Sequence, residues 1–366
     1  MKKIGIIGAG RLGICLALNL ERVGYTIVAI DSSEKRVQQI NTKELKVEEP
    51  NVENYLREST NLSASTDVKD LLTSEIDFIF VCVPTPSLES GKYDHSSILS
   101  CVEELLKHGD PKSTIDLVIN STTMPGFCDQ LQTQLKDTNY IVSYNPEFIA
   151  QGSIIRDQQF PDQVLIGEVN PTSGKRISEV YKKMCPDSPE VHHMSRTSAE
   201  ITKLGINCFL TTKIAFANSI GDLSQKMGAE YDKVLASIGS DSRIGNTYLT
   251  YGFGFGGPCL PRDNRALAKA GEEHNIELHI SKATNKANAS HLDFQFAEYA
   301  NHAEPIVFDQ VTYKAGTDII EESQYLALAV RLMQSGKKVL IKASDGVIDQ
   351  VKEVYGDSFT YERNLR

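Results

Sequence analysis

The apolar positions of the first 170 residues fall in short blocks of Val, Ile and Phe, separated by stretches with helical spacing. Blocks at 3–7, 26–31, 77–83, 115–120, 139–143 and 163–167 predict β-strands. Residues 12–23, 33–41, 97–107, 127–136 and 173–184 predict the helices between them. Short apolar strands alternating with helices build a parallel sheet covered on both faces. Near 197 the pattern changes. From Ser198 to Leu223 apolar residues (Ile201, Leu204, Ile206, Phe209, Leu210, Ile214, Phe216, Ile220) occupy most of a helix circumference. Such a helix is buried against other helices or a second subunit. Another helical stretch spans 281–302, and segments 306–313, 322–335 and 338–342 return to strand, helix and strand. The expected organisation is an α/β protein in three parts. Residues 1–195 form a doubly wound parallel sheet, 196–300 a central helical region with the long helix, and 301–366 a small C-terminal α/β domain.

Composition narrows the partners. The 38 basic and 48 acidic residues leave a net charge of −10, and no basic block or aromatic-basic interleaving stands out. Nucleic acid or an anionic membrane surface would require a basic footprint. The seven cysteines show no Cys-x-x-Cys spacing, so neither a disulfide framework nor a metal site is expected, and reduced thiols fit a cytoplasmic protein. Met1-Lys2-Lys3 and the apolar residues after it mimic a secretory leader, but Arg11 and four glycines interrupt the run.

Gly8-Ala9-Gly10-Arg11-Leu12-Gly13 follows the first strand and opens the first helix, and Asp31 ends the next strand. Gly8 allows the tight turn, Gly10 lets backbone approach a pyrophosphate, and Gly13 allows close helix–strand packing. The helix N-terminus would hold the pyrophosphate and Asp31 a ribose 2′-hydroxyl, which selects NAD over NADP. Val83-Pro84-Thr85-Pro86 and the segment from Asn120 to Gly126 end two further strands, where ligands bind in doubly wound sheets. In Tyr251-Gly252-Phe253-Gly254-Phe255-Gly256-Gly257-Pro258-Cys259, glycines let amides fold round a ligand and two aromatic rings are available for stacking. Pro261 suits a first helical turn and Asp263 its dipole, which places Cys259 at a helix N-terminus, a setting that favours a thiolate nucleophile. Lys203, Asn207 and Thr211 form a polar stripe on the long apolar helix and face solvent, a partner or a site. Taken by themselves, Arg243 and Lys314 read as surface charges.

Together these segments resemble the UDP-glucose/GDP-mannose dehydrogenase family, most closely its UDP-glucose branch. The similar segments run in order from residue 1 to about 335 and include Asn145-Pro146-Glu147-Phe148, Pro161-Asp162, Lys203-x-x-x-Asn207-x-Phe209-Leu210, Arg243-Ile244-Gly245, Gly254 to Asp263, and Lys314-x-Gly316-Thr317-Asp318. The resemblance implies a four-electron oxidation of a nucleotide-sugar hydroxymethyl to a carboxylate with two NAD⁺. It implies Cys259 as nucleophile, Lys203 at the developing oxyanion, Asn207 and Asp263 positioning water or relaying protons, Thr122 holding the hydrolytic water and Glu147 as candidate base. Gly8, Gly10, Leu12, Gly13, Asp31, Pro84, Thr85 and Thr122 would bind the cofactor. Glu147, Phe148, Lys203, Asn207, Arg243, Tyr251, Phe253, Gly256 and Lys314 would bind the sugar nucleotide, with Arg243 reaching the neighbouring subunit's substrate. The long helix would form a homodimer core. The family motif Asn-Pro-Glu-Phe-Leu-x-Glu-Gly has Gln151 here in place of its second Glu, and an amide is no general base. The Arg of Thr-Asp-Asp-x-Arg-Glu-Ser is Glu321, the loss of a charge-assisted bond worth about 1.5–3 kcal/mol. These departures raise two alternatives: a nucleotide-sugar-binding protein of dehydrogenase descent with weak or no turnover, and a 6-dehydrogenase for a different UDP-hexose.

Overall fold

Alternation along single strands organises the N-terminal half. The computed structural model describes residues 2–72 and 76–363. Eight strands form one sheet: Lys3–Ile7 (β1), Thr26–Ile30 (β2), Leu62–Ser65 (β3), Ile76–Val81 (β4), Ile115–Ile119 (β5), Tyr140–Tyr144 (β6), Gln163–Glu168 (β7) and Glu190–Ser195 (β8), in the order β3-β2-β1-β4-β5-β6-β7-β8. Seven helices lie among them in the chain: Arg11–Arg22 (α1), Glu34–Asn41 (α2), Val52–Glu58 (α3), Ser96–Lys107 (α4), Phe127–Gln134 (α5), Ile154–Gln159 (α6) and Pro171–Met184 (α7). Successive β4 residues point to opposite faces. Ile79 and Val81 pack with Ile98 and Val102 of α4 and Leu131 of α5. Phe78 and Phe80 pack with Leu16 and Leu20 of α1 and Val180 of α7. Each such buried side chain contributes about 1.5–3 kcal/mol of transfer free energy, and both faces of the sheet are covered.

The six strands and five helices expected from the apolar blocks are present with ends shifted by a few residues. Two edge strands gave no such block. β3 is Leu-Ser-Ala-Ser and β8 is Glu-Val-His-His-Met-Ser, because an edge strand buries little and tolerates polar residues. The sheet is also not wholly parallel: β6 meets β7 antiparallel at Tyr144 and Gly167. Their connection holds only the six-residue α6, about 9 Å of helix, too short for the crossover that parallel strands need.

Contacts divide the chain into two compact units, one ending at Lys203 and the other starting at Leu204. The division falls within Arg196–Lys226 (α8), inside the segment expected to be the central region. The second unit also holds Tyr231–Ser240 (α9), Leu260–Glu273 (α10), His279–Tyr299 (α11), Ile306–Phe308 (β9), Gln324–Gln334 (α12), Val339–Ala343 (β10), Asp345–Tyr355 (α13) and Thr360–Arg363 (β11). Strands β9, β10 and β11 make a parallel sheet in the order β11-β10-β9. Phe308, Leu328, Leu332, Ile341 and Val351 fill its core. The strand expected to reach 313 stops at Phe308. The boundary expected at 300 lies inside this second unit. Among the described residues no helix is long and apolar enough to cross a membrane.

Candidate active site

The glycine fingerprint forms the turn that its residue types require. Gly8 has φ of +94°, and its amide donates to the Ile30 carbonyl at 2.8 Å, tying β1 to β2. A Cβ at Gly13 would overlap the Gly8 carbonyl, and one at Gly8 would approach the Cys82 carbonyl to 2.7 Å. Helix α1 starts at Arg11 after Gly10 with no side-chain cap and no acid in its first turn. A helix start of this kind suits a phosphate. Asp31 stands beside the turn. Its Oδ2 accepts from the Ala9 amide at 3.0 Å and its Oδ1 from the Ser33 amide at 3.0 Å. Arg36 lies 3.6 Å from Asp31 Oδ2. These residues fit NAD: an uncapped helix start for the pyrophosphate, small residues where backbone must approach, and a carboxylate for the ribose.

Pro84, Thr85 and Thr122 meet at the carboxyl ends of β4 and β5. Thr85 Oγ1 donates to the Thr122 carbonyl at 2.8 Å, and Ser121 Oγ donates to the Val83 carbonyl at 2.7 Å. Beyond β6, Asn145 stitches the strand ends together. Its carbonyl accepts from Asn120 at 2.6 Å, its amide nitrogen donates to the Leu165 carbonyl at 2.9 Å, and Tyr181 donates to its Oδ1 at 2.7 Å. This scaffold positions Glu147 and Phe148. Lys203 donates to the Glu147 carbonyl at 2.7 Å, and its ammonium sits 4.6 Å from the Phe148 ring centre. The carboxyl Oε1 of Glu147 is sealed from solvent without a hydrogen-bond partner of good geometry. Burial pushes the Glu147 carboxyl up to about 7, and Asn120, the Lys203 charge, Gln158 and Tyr181 offset only part of that.

Gln151, the departure from the family motif, has a partner that the sequence did not disclose. Arg11 donates from Nη1 to Gln151 Oε1 at 3.1 Å, across 140 residues of chain. No local pattern signals a contact of that separation.

In the second unit, α10 begins where Pro261 and Asp263 placed it. Cys259 is the residue before its first turn and is exposed, whereas Cys15, Cys128, Cys185 and Cys208 are buried. The Asp263 amide donates to the Cys259 carbonyl at 2.9 Å. Asn207 donates to Asp263 Oδ2 at 2.5 Å, and Asp263 is almost fully buried. Helix α8 thus aims Asn207 at the turn that carries Cys259. Lys203 lies one helical turn before Asn207 on the same side of α8. Thr211 continues that stripe in sequence, but it is buried and its hydroxyl donates to the Cys208 carbonyl at 2.8 Å.

The loop from Tyr251 to Gly256 lines a cleft of about 330 Å³ together with Tyr248, Tyr313 and Lys314. Its backbone is held by buried polar side chains. Asn218 accepts from the Gly252 amide at 3.0 Å, and Asn288 accepts from the Phe255 amide at 2.9 Å and donates to the Phe255 carbonyl at 3.0 Å. A Cβ at Gly256 would overlap the Glu322 carbonyl, so the loop lies directly against the backbone at Glu322 and Gln324. The two loop phenylalanines are less free than the sequence implied. Phe253 stacks on Tyr325 at 3.6 Å, and Phe255 is buried. Tyr251 donates its hydroxyl to Asp222 at 2.9 Å and packs on Tyr231. Arg243 is well exposed and forms a fork with Asp241 at 3.0 and 2.7 Å. Glu321 is exposed, and its neighbour Glu322 receives a bidentate fork from Arg265 at 3.0 and 2.6 Å. Asn218, Asn288 and His291 escaped the sequence reading because a polar residue on a helix normally marks a solvated face.

Residues 2–185 match the NAD binding domain of the UDP-glucose/GDP-mannose dehydrogenase family, and residues 197–290 match its central domain. The chain belongs to this family. A UDP-glucose 6-dehydrogenase of Rickettsia prowazekii (strain Madrid E) is 31% identical over 355 residues, which cover 94% of this chain and 81% of the relative. A GDP-mannose 6-dehydrogenase of Pseudomonas aeruginosa is 28% identical over 93% of this chain and 80% of that protein. The solved structure of a UDP-glucose dehydrogenase from the archaeon Pyrobaculum islandicum aligns with TM-score 0.90 at 26% identity, covering 100% of this chain and 86% of that one. Family membership makes the protein an oxidoreductase that uses NAD, and the fingerprint around Gly8, Gly10, Gly13 and Asp31 agrees with that cofactor.

Proposed function

We propose that the protein oxidises the C6 hydroxymethyl of UDP-glucose to the carboxylate of UDP-glucuronate, consuming two NAD⁺ and one water per sugar. The observation that carries this reading is the exposed Cys259 at the start of α10, with Asp263 in the same turn held by Asn207. A single hydroxyl-to-carbonyl oxidation needs no nucleophile. Oxidation to the acid level does, because an aldehyde must first gain an oxygen or sulfur substituent before it can lose a second hydride.

Bound NAD⁺ supplies a two-electron acceptor for each oxidation. The Cys259 sulfur adds to the C6 aldehyde to give a thiohemiacetal, and loss of the second hydride leaves a thioester. Water then attacks the thioester carbon and the thiol leaves. Lys203, fixed by the Glu147 carbonyl, stabilises the oxyanion of the tetrahedral species. Asn207 and Asp263 position the water and pass protons. Thr122 holds the hydrolytic water and Glu147 accepts its proton, a role suited to a carboxyl that titrates near neutrality. Since Gln151 carries no carboxylate, the base function falls to Glu147. The cleft lined by Tyr251, Phe253, Gly256 and Lys314 takes the uridine diphosphate. Counting NADH against sugar with limiting UDP-glucose tests the reading. Two NADH per sugar are expected. UDP-sugar binding without NADH would overturn this activity in favour of a binding protein or a different UDP-hexose, which a panel of hexoses separates.

The same reading includes a cytoplasmic homodimer built on α8. Ile201, Phe209, Phe216 and Leu223 are 49%, 65%, 47% and 55% exposed, and their spacing of 8, 7 and 7 residues keeps them within about 80° of one helix face. An exposed apolar stripe of that length is costly in water and suits a self-complementary interface. In the dimer, Arg243 exchanges its Asp241 fork for the substrate of the neighbouring subunit. Phe216→Glu is expected to convert a dimer into a monomer in sedimentation experiments at micromolar concentration. A wild-type monomer, or an unchanged dimer in the variant, would refute α8 as the interface.

A further inference from the structure

His291 lies on α11, outside every motif of the family pattern, and is only 2% exposed. Both of its ring nitrogens face acceptors. Nδ1 is 2.9 Å from each oxygen of the Asp222 carboxylate, and Nε2 is 2.7 Å from the Gly252 carbonyl. A neutral imidazole has one N–H and could satisfy only one of these contacts. Both edges of the ring are engaged at once, one by the Asp222 carboxylate and one by the Gly252 backbone. The surroundings support the pair from each packed element. Tyr251 donates its hydroxyl to Asp222 Oδ1 at 2.9 Å and presents its ring edge-on to His291, with centres 5.5 Å apart. Gln295, one turn further along α11, donates to the same Gly252 carbonyl at 3.3 Å. Asn218 of α8 accepts from the Gly252 amide. Lys226, one turn beyond Asp222 on α8, pairs with Glu298 at 2.6 Å.

Gly252 lies in the glycine-rich loop that lines the cleft, and it has no side chain by which packing could fix it. Its backbone is held through its own amide and carbonyl. We infer that His291, braced by Asp222, is a positioning residue that holds the Gly252 carbonyl and thereby presets the Tyr251–Gly256 loop for the nucleotide sugar. The inference rests on that cleft being the sugar-nucleotide site, as proposed above. Its chemistry is preorganisation: the free loop already has its bound backbone course, so binding does not have to order it.

Two near-isosteric variants separate positioning from bulk structure. In His291→Gln the amide nitrogen occupies about the place of Nε2 and can still donate to the Gly252 carbonyl. In His291→Asn it occupies about the place of Nδ1, which keeps the contact with Asp222 but abandons Gly252. Calorimetric titration of the full-length protein with UDP-glucose, and separately with NAD⁺, reads the outcome, with melting temperature measured alongside. His291→Asn should weaken UDP-glucose binding about 10- to 100-fold, the range for losing the donor to a buried carbonyl. His291→Gln should restore most of it, and NAD⁺ affinity should change in neither. If both variants bind UDP-glucose like the wild type, the inference fails while the functional reading stands. Equal losses that track melting temperature would make His291 a packing residue and also overturn it. A wild-type protein that binds no UDP-hexose would instead overturn the functional reading, and this inference with it.

Discussion

Cys259→Ala abolishes acid formation, with an expected loss of at least about 10⁴-fold in turnover to the carboxylate, as removal of a covalent nucleophile typically gives. The exposed position at the start of α10 makes the variant structurally mild, because the side chain fills no core. Without the sulfur, the first hydride transfer is still chemically possible, but the aldehyde has no partner with which to form the species that loses the second. Rapid-mixing measurement of NADH against enzyme sites should therefore give at most one NADH per site, followed by no steady state. Cys208, 51 residues before the nucleophile in sequence, is buried and its thiol is pushed up by burial, so it offers no substitute. A variant that still yields two NADH per sugar would remove the thioester route altogether.

Glu147→Gln should separate activity from stability, and in opposite directions. The Glu147 carboxyl titrates at about 7 in the fold against an ordinary value of 4.5, with burial as the main cause. Between those values the folded protein binds a proton that the unfolded chain has lost. Stability contributed by this group is therefore greatest below about pH 4.5, falls as pH rises through the window, and stays lowered above about 7. The deficit is on the order of 3 kcal/mol at pH 8. Glutamine cannot ionise, so the variant should be more stable than the wild type at pH 8, and the gap should shrink towards pH 5. Urea unfolding at the two pH values measures this. Activity should move the other way. Acid formation in the wild type should rise as pH passes about 7 and the base ionises, whereas the glutamine variant should lose about 10²–10⁴-fold and that pH dependence with it. Equal stability at pH 8 would mean the carboxyl is already neutral there or better solvated than its setting implies. Unimpaired turnover would remove Glu147 as the base.

The two predictions rest on residues of different legibility. Cys259 was visible in sequence because Pro261, Asp263 and the preceding glycines mark a helix start, and a helix start has local chemistry. Glu147 was visible only through the Asn-Pro-Glu-Phe motif. Its raised titration comes from burial among segments far apart in the chain, with Asn120, Lys203, Gln158 and Tyr181 offsetting only part of it. Arg11 and Gln151 show the same limit, since 140 residues separate two groups that share a hydrogen bond. The predicted strands of the large sheet were apolar on both faces, which is why they were found. The edge strands β3 and β8 were missed because their burial is supplied by one neighbour only.

What the sequence by itself determined is whatever short-range sterics and periodicity dictate: the central strands, the glycine turn with its uncapped helix, the long apolar helix and the cysteine at the start of α10. Tertiary structure alone decided the antiparallel joint between β6 and β7, the outward face of Ile201, Phe209, Phe216 and Leu223, and the hold of Asn218, Asn288 and His291 on the cleft loop. The physical reason is range. Backbone sterics and helical period act within a few residues, whereas burial of a polar group and the partner that satisfies it are set by segments that meet only in the folded chain.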